Sequence, residues 1–435
     1  MFFRSKWFML GLAVLLGIGV LLLPRPEGTR FRIVGDADQA LLSHVGDAFR
    51  LVSGEDRPGE GYVVEAISPG SANATGAFLD RQAAGADLTN VKVEYVDGLS
   101  PKAKRFLAVV VFLLFLFVAE PIPLEITAIL IGVLLVFTGV TSVQDAWAPY
   151  MHPVVVFIIC CLIMAIAADK AGLTKRLGYF IAQKAGSSVI RFTFIISIGL
   201  GISSAFLHDA AACAIGLVTM LPLMRAAGIE PHTRTAKFMT LSLPFACSCG
   251  GMGSLVGGGR NMVAAAFLKE LTGLELTFFD WILYAMPAAV LTTPAAVGIL
   301  YLIYRPDPKY KLPRFEESLG PWTALEKNTL LIIGATFILW LTKGVHGLDY
   351  SVTGMLGVAA LVLFGVLKWD DIHENLEWGT ALFIFGGGIA LGLAMDSSGA
   401  AAYFANLFFP LIQGGGWLLL FVGVAVFGAL ITNAM

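Results

Sequence analysis

Two long apolar segments, each interrupted at its centre by residues foreign to a membrane helix, constrain this chain more than anything else in it. The first, Thr193 to Met224, has only two ionisable residues, His208 and Asp209, and they sit side by side at its middle. At about 1.5 Å per residue the segment is far too long for one straight crossing of a roughly 30 Å hydrocarbon core. A hairpin of two half-length helices meeting at His208-Asp209 is expected. The second segment, Phe238 to Leu268, carries Gly250, Gly251, Gly253, Gly257, Gly258 and Gly259, then Arg260 and Asn261. Each glycine costs a helix about 1 kcal/mol relative to alanine, so a broken helix is expected there.

Non-helical backbone at membrane depth survives only where it is buried in protein or lines a water-filled cavity. Ionisable residues at that depth mark a functional site by default. Half-helix N-termini attract anions, and carbonyls freed by unwinding can hold a coupling cation. The expectation is therefore a solute site framed by a hairpin tip and a broken helix. The bland alternative is a kinked structural bundle whose His-Asp pair is satisfied internally.

Composition sets the class. With 57% hydrophobic and 14% charged residues in 435, the chain reads as an all-α polytopic membrane protein. A formal net charge of −2 gives no reason to invoke nucleic acid. The five cysteines, Cys160, Cys161, Cys213, Cys247 and Cys249, fall inside apolar runs and have neither disulfide-framework nor metal-ligand spacing. They read as small buried hydrophobes, with Cys247-Ser248-Cys249 near enough to the glycines to line the site.

The chain divides by character into a first transmembrane helix (1–23), a polar insert (24–105), a first transporter repeat (106–304), a basic linker (305–327) and a second, incomplete repeat (328–435). The insert reads as a small α+β module, with strand-like alternation from Val91 to Val96 and turn signals from Glu55 to Gly59. Arg305, Lys309, Lys311, Arg314 and Lys327, with Arg225, Arg234, Lys237, Lys175 and Arg176, place three loops in the cytoplasm by the positive-inside rule. That puts the N-terminus inside and the insert outside the cytoplasmic membrane. Lys102, Lys104 and Arg105 then fall on the outer side, against the rule.

An internal repeat organises the rest. Gly139-Val140 and Asp145 recur as Gly365-Val366 and Asp371, and Asp169 and Gly172 recur as Asp396 and Gly399, 226 or 227 residues apart. The same offset carries His208-Asp209 to the neighbourhood of Thr432-Asn433. One copy starts outside and the other inside, so inverted repeats with paired interruptions are expected, and solute binds where such repeats meet. Beyond Asn433 only two residues follow, so the second copy is expected to be C-terminally truncated.

The run Ala119-Glu120-Pro121-Ile122-Pro123-Leu124 with Thr127, the run Lys170-Ala171-Gly172-Leu173, and Trp378-Gly379 with Gly386-Gly387-Gly388 resemble the divalent anion:sodium symporter family of citrate- and dicarboxylate-transporter-like permeases. The resemblance covers about residue 100 onward. It implies a fold of inverted repeats with re-entrant hairpins, a sodium-coupled carrier of carboxylates, and a homodimer. In that family two Ser-Asn-Thr tips and two glycine-rich loops hold the carboxylates and the sodium ions. Here Thr432-Asn433-Ala434 matches the second tip in part, His208-Asp209-Ala210 stands where the first is expected, and Gly257-Gly258-Gly259-Arg260-Asn261 stands for Gly-Thr-Pro-Pro-Asn.

The expected function is secondary active transport of a small anion, di- and tricarboxylates first, coupled to sodium or protons, with no other cofactor. An inorganic oxyanion permease or anion exchanger is the alternative, and a membrane-anchored sensor a remote one. Substrate contacts are assigned to Arg260, Asn261, Gly257, Gly258, Gly259, Asp209, Thr432 and Asn433, and coupling-ion contacts to Ser204, His208, Asp209, Gly253 and Ser254. Three readings of Asp209 stand open: a sodium ligand, a titrating proton carrier with His208 as relay, or a partner of Arg260. Ser204, His208 and Asp209 superficially suggest a hydrolase as well, but adjacent His and Asp side chains on a helix orient one another poorly. No enzymatic activity is expected.

Overall fold

The computed structural model describes residues 6–26, 30–34, 49–54, 62–66, 92–96, 98–184, 186–313, 320–412 and 416–434. In chain order these form helix α1 (Lys6–Leu22), strands β1 (Arg30–Val34), β2 (Phe49–Gly54), β3 (Tyr62–Ala66) and β4 (Lys92–Tyr95), then helices α2 (Pro101–Ala119), α3 (Leu124–Phe137), α4 (Val143–Trp147) and α5 (Pro153–Lys170). Helices α6 (Leu173–Gln183), α7 (Val189–Leu207), α8 (Asp209–Ala226), α9 (Arg234–Gly251), α10 (Gly259–Thr272) and α11 (Phe278–Tyr304) follow. The chain continues with α12 (Ala324–Leu341), α13 (Lys343–His346), α14 (Tyr350–Leu363), α15 (Trp369–Asn375), a π-helical turn Gly379–Ile384, α16 (Phe385–Ser397), α17 (Ala400–Ile412) and α18 (Gly416–Ala434). Among the described residues, six helices are long and apolar enough to cross a membrane. The protein is an all-α polytopic membrane protein carrying a small sheet.

The chain forms two compact units, residues 1–150 with 386–435, and residues 151–385. In the first, the sheet is antiparallel in the order β2-β3-β1-β4, with Phe31 opposite both Val64 and Tyr95. The strand expected across 91–96 is β4. The turn expected over 55–59 lies outside the described residues. Lys104 donates to the carbonyls of Leu21 (2.7 Å) and Leu23 (2.6 Å), and Arg105 to that of Thr138 (2.8 Å). Two of the basic residues that run against the positive-inside rule thus serve orphan carbonyls at the C-terminal ends of α1 and α3, where cations are favoured.

The second unit holds the interrupted segments. Its core is built where α7, α8 and α9 pack, around Phe192, Ile196, Leu200, Met220, Phe238 and Leu243. A second centre gathers Phe157, Phe278, Phe337 and Tyr350 about the buried Trp340. Arg176 on α6 ion-pairs with Glu326, donates to the carbonyls of Gly320 and Pro321 (both 2.9 Å) and stacks on Trp322. Lys170 pairs with Asp371. That ammonium and the Lys368 N–H hold the Asp371 carboxyl below its ordinary range.

One expectation is corrected. The hairpin limbs are not half-length: α7 has 19 residues and α8 has 18, about 28 and 27 Å at 1.5 Å per residue. The helices extend past the apolar run at both outer ends, to Val189 and Ala226, because helical backbone does not stop where hydrophobicity does. Two further helices were not expected from the apolar runs: α6, an 11-residue helix whose apolar residues make only a stripe, and the 13-residue α17.

The repeated residues share backbone geometry. Gly139 and Gly365 lie at φ 66° and 70°, and the next N–H in each case, of Val140 and Val366, donates 2.9 Å to Leu135 and Leu361. Gly172 and Gly399 lie at φ 87° and 81°, each donating 2.9 Å to the carbonyl of the repeated aspartate. These are the left-handed helix ends that glycine adopts without strain.

Helices α7 and α9 meet at Gly201 and Gly250, where a Cβ on Gly250 would overlap the Gly201 carbonyl. Backbone cannot yield there as a side chain would. Gly250→Val should lower stability by about 3 kcal/mol or more, at or beyond the upper end of ordinary overpacking. Gly298→Val, with nothing near its Cβ, is the control. Detergent-solubilised thermal unfolding of the two variants measures the difference.

Candidate functional site

The tip and the break are one structure. Between α7 and α8 the chain turns on His208 alone, at φ 68° and ψ 137°. A β-carbon at positive φ is strained, and such outliers cluster at functional sites. The turn brings the Asp209 N–H 3.0 Å from the Gly257 carbonyl, in the stretch that separates α9 from α10. Gly257 comes so close to Gly251 that a Cβ would meet its carbonyl, so the break folds back on itself.

Unwinding at residues 252–258 frees carbonyls, and the protein supplies donors for them. Asn261 Nδ2 donates to Gly251 O (2.8 Å) and Ser254 O (2.7 Å). Trp281 Nε1 donates to Met252 O at 3.0 Å. The Ser254 hydroxyl donates to Ala205 O on α7, and the Ser204 hydroxyl to Gly201 O (2.6 Å) and Cys247 O (2.7 Å). Ser204 and Ser254 are wholly buried, and Asn261 is 5% exposed. Low-dielectric surroundings make such bonds strong and their loss costly.

Asp209 and Arg260 pair, with Nη2 3.0 Å from Oδ2. The same Nη2 lies 3.3 Å from the Ser248 carbonyl. Asp209 Oδ1 accepts from the Ala210 N–H (2.8 Å) and lies 3.2 Å from His208 Nδ1. That contact is not aligned as a hydrogen bond, and both ring nitrogens of His208 are without partners among the described residues. The pairing that the third reading of Asp209 expects is present. The pair is nevertheless open on one side: the Arg260 side chain is 57% exposed, that of Asp209 16%. Arg260 also stands in the first turn of α10, whose N-terminus has no side-chain cap. Phe385 and Ile158 press on Gly259 at the foot of that helix.

Of the residues assigned from sequence, His208, Asp209, Ser204, Gly253, Ser254, Gly257, Gly258, Gly259, Arg260 and Asn261 all lie at this junction, but not in equivalent roles. The amide hydrogens of Asn261 and the hydroxyls of Ser204 and Ser254 brace the backbone, whereas Arg260 presents an open face. The backbone of Thr432 and Asn433 is in α18, and their side chains lie outside the described residues. Sequence reasoning missed Trp281, whereas the stretch Cys247-Ser248-Cys249, placed near the site from sequence, contributes the Ser248 carbonyl. An indole in an apolar helix signals a polar handle needing a partner, but nothing in the sequence says which.

A family model for the sodium:sulfate symporter transmembrane region matches residues 93–433. The chain belongs to this family. It is a multi-pass membrane transporter. It is 29% identical over 347 residues to an uncharacterised transporter of Haemophilus influenzae, covering 77% of this chain and 74% of the relative. It is 24% identical over 374 residues to a membrane protein of Cupriavidus necator, covering 78% and 69%. Identity is also 24% over 370 residues to a sodium-dependent dicarboxylate transporter, SdcS, of Staphylococcus saprophyticus, covering 78% and 70%.

The strain at His208 is testable without knowing the solute. His208→Gly and His208→Ala both remove the imidazole, yet only alanine keeps a β-carbon at positive φ. The glycine variant should be the more stable by about 1–3 kcal/mol, read from the thermal or urea unfolding of each in detergent.

Proposed function

We propose that this transporter carries small multivalent anions, di- and tricarboxylates first, across the cytoplasmic membrane by alternating access, with sodium or protons as the coupling ion. One observation carries the reading: an arginine anchored by one nitrogen to Asp209 and Ser248 O, with its side chain more than half exposed, at the uncapped start of a helix. A guanidinium is a fork of donors that stays charged and matches a carboxylate. A helix N-terminus adds aligned N–H groups and a positive dipole end. The relative named as a dicarboxylate transporter points the same way.

An inorganic oxyanion is the second reading. A guanidinium and a helix start serve sulfate as well as carboxylate, and the family description itself names sulfate. In either case Arg260 binds, Asp209 positions it, and Asn261 with Trp281 holds the break in shape. Inverted repeats, a cytoplasmic N-terminus, an external 24–105 module and a homodimer complete the proposal.

The test is uptake of labelled succinate, citrate, sulfate and phosphate into proteoliposomes, with sodium and pH gradients varied separately. Arg260→Gln should reduce uptake of the preferred anion at least tenfold, and Arg260→Lys should fall between, keeping charge but losing the fork. Wild-type uptake in Arg260→Gln would remove Arg260 from the site.

A further inference from the structure

We infer that Arg260 is a built-in cation: its guanidinium fills the place that a coupling sodium ion would take between the hairpin tip and the broken helix, so this junction binds its anion without sodium. The inference rests on the proposed reading of Arg260 as the anion-binding group and adds what the same residue does on its other side.

Three observations carry it. First, Arg260 Nη2 faces Asp209 Oδ2 at 3.0 Å and Ser248 O at 3.3 Å. One carboxylate oxygen and one carbonyl oxygen are hard donors of the type that binds a small monovalent cation. The Ser248 carbonyl is available because the helix ends there: the Met252 N–H turns to Gly250 O.

Second, most of the carbonyls nearest the pair have donors of the protein's own. Gly251 O and Ser254 O take Asn261, Met252 O takes Trp281, Gly257 O takes the Asp209 N–H, and Ala205 O takes Ser254. A cation pocket is a convergence of free acceptors, whereas the five acceptors at Ala205, Gly251, Met252, Ser254 and Gly257 are each matched to a donor.

Third, the charges cancel. Asp209 contributes one negative charge and Arg260 one positive. The nearest other titratable group is His208, whose Nδ1 is 3.2 Å from Asp209 Oδ1 and which adds no negative charge in either protonation state. No net field draws a sodium ion in. The Arg260 side chain is 57% exposed, which leaves room for it to bridge protein and solute as a bound ion would.

The experiment measures sodium binding to the purified full chain in lipid nanodiscs, without organic anion, by thermal shift on titrating NaCl against choline chloride at constant ionic strength. Arg260→Gln should acquire a saturable, sodium-specific stabilisation, with apparent affinity at least tenfold tighter than any sodium response of the wild type. The double variant Arg260→Gln with Asp209→Asn should lose it. Arg260→Gln that elutes as a folded particle and shows no new sodium response overturns the inference. Asp209→Asn alone is an independent arm that does not require Arg260→Gln to fold. A wild-type sodium response that Asp209→Asn leaves intact arises elsewhere and stands with the inference, as does a wild type with none. A wild-type response abolished by Asp209→Asn shows that Asp209 holds sodium beside Arg260, and the inference fails. Because no uptake is measured, failure here leaves the transport reading standing, and a wild type without uptake would leave these binding curves as they are.

Discussion

Every unpaired backbone group in a hydrocarbon environment costs several kcal/mol, and this constraint shapes the whole junction between hairpin and broken helix. A helix that stops inside a protein leaves up to four carbonyls without partners. Here α9 stops at Gly251 and α10 starts at Gly259. The carbonyls of Gly251, Met252, Ser254 and Gly257 are served by a side-chain amide, an indole and the first N–H of the neighbouring hairpin limb. The glycines let the strands of the break approach closely enough for those bonds to form. Opening the backbone and closing the tip onto it are therefore one event. Neither half of the arrangement is affordable without the other.

Magnitudes separate the part of Asp209 and Arg260 in stability from their part in function. An ion pair with one partner mostly exposed is worth about 0–1 kcal/mol, and Arg260 is the exposed partner. The pair is thus a weak clamp beside the buried bonds of Ser204, Ser254 and Asn261. Its effect on charge is larger. A second cation about 4 Å from the guanidinium is repelled by about 4 kcal/mol at an effective dielectric constant of 20, which offsets the attraction an unpaired Asp209 would exert at that distance; solvent on the open side reduces both. Even half that value lowers a cation's affinity more than tenfold. The pair contributes little to holding the fold and much to deciding which ions approach it.

The legible part of this structure was the part written in consecutive residues. Apolar runs located the long helices, six glycines located the break, and His208-Asp209 located the tip. The glycines read as repeated, Gly139 with Gly365 and Gly172 with Gly399, take the same left-handed conformation. What failed to show were lengths and partners. The limbs of the hairpin are longer than their apolar cores because the helices run on through a single arginine at each outer end, Arg191 and Arg225. Three roles for Asp209 stayed open because the choice depends on a contact spanning the whole of α8 and α9. Asn261 reads as a solute ligand in sequence, since an amide beside an arginine suits an anion. In the fold its donors turn inward, because the carbonyls at Gly251 and Ser254 have greater need of them than solvent does.

The sequence differs from the resembled family at both places together, with Asp209 at a tip where an amide is expected and Arg260 in a loop where proline is. Physically the two changes require each other. A carboxylate at a junction already lined with carbonyl oxygens would be uncompensated, and a lone guanidinium would repel the dipole end of α10 that it sits on. Together they restore neutrality without a bound ion, and this has a consequence for any anion that rests there. A carrier that binds sodium at such a junction adds positive charge with each cycle, offsetting the charge of its solute. One that carries its cation as a side chain adds nothing, because the arginine returns with the protein. A dianion at Arg260 then leaves the junction with the solute's full net charge. In low dielectric that charge favours a protein that moves only when loaded with an anion in both directions, or one that gathers its compensating cation elsewhere. The arrangement at Asp209 and Arg260 thus ties the identity of the coupling ion to a question of charge rather than of cavity size.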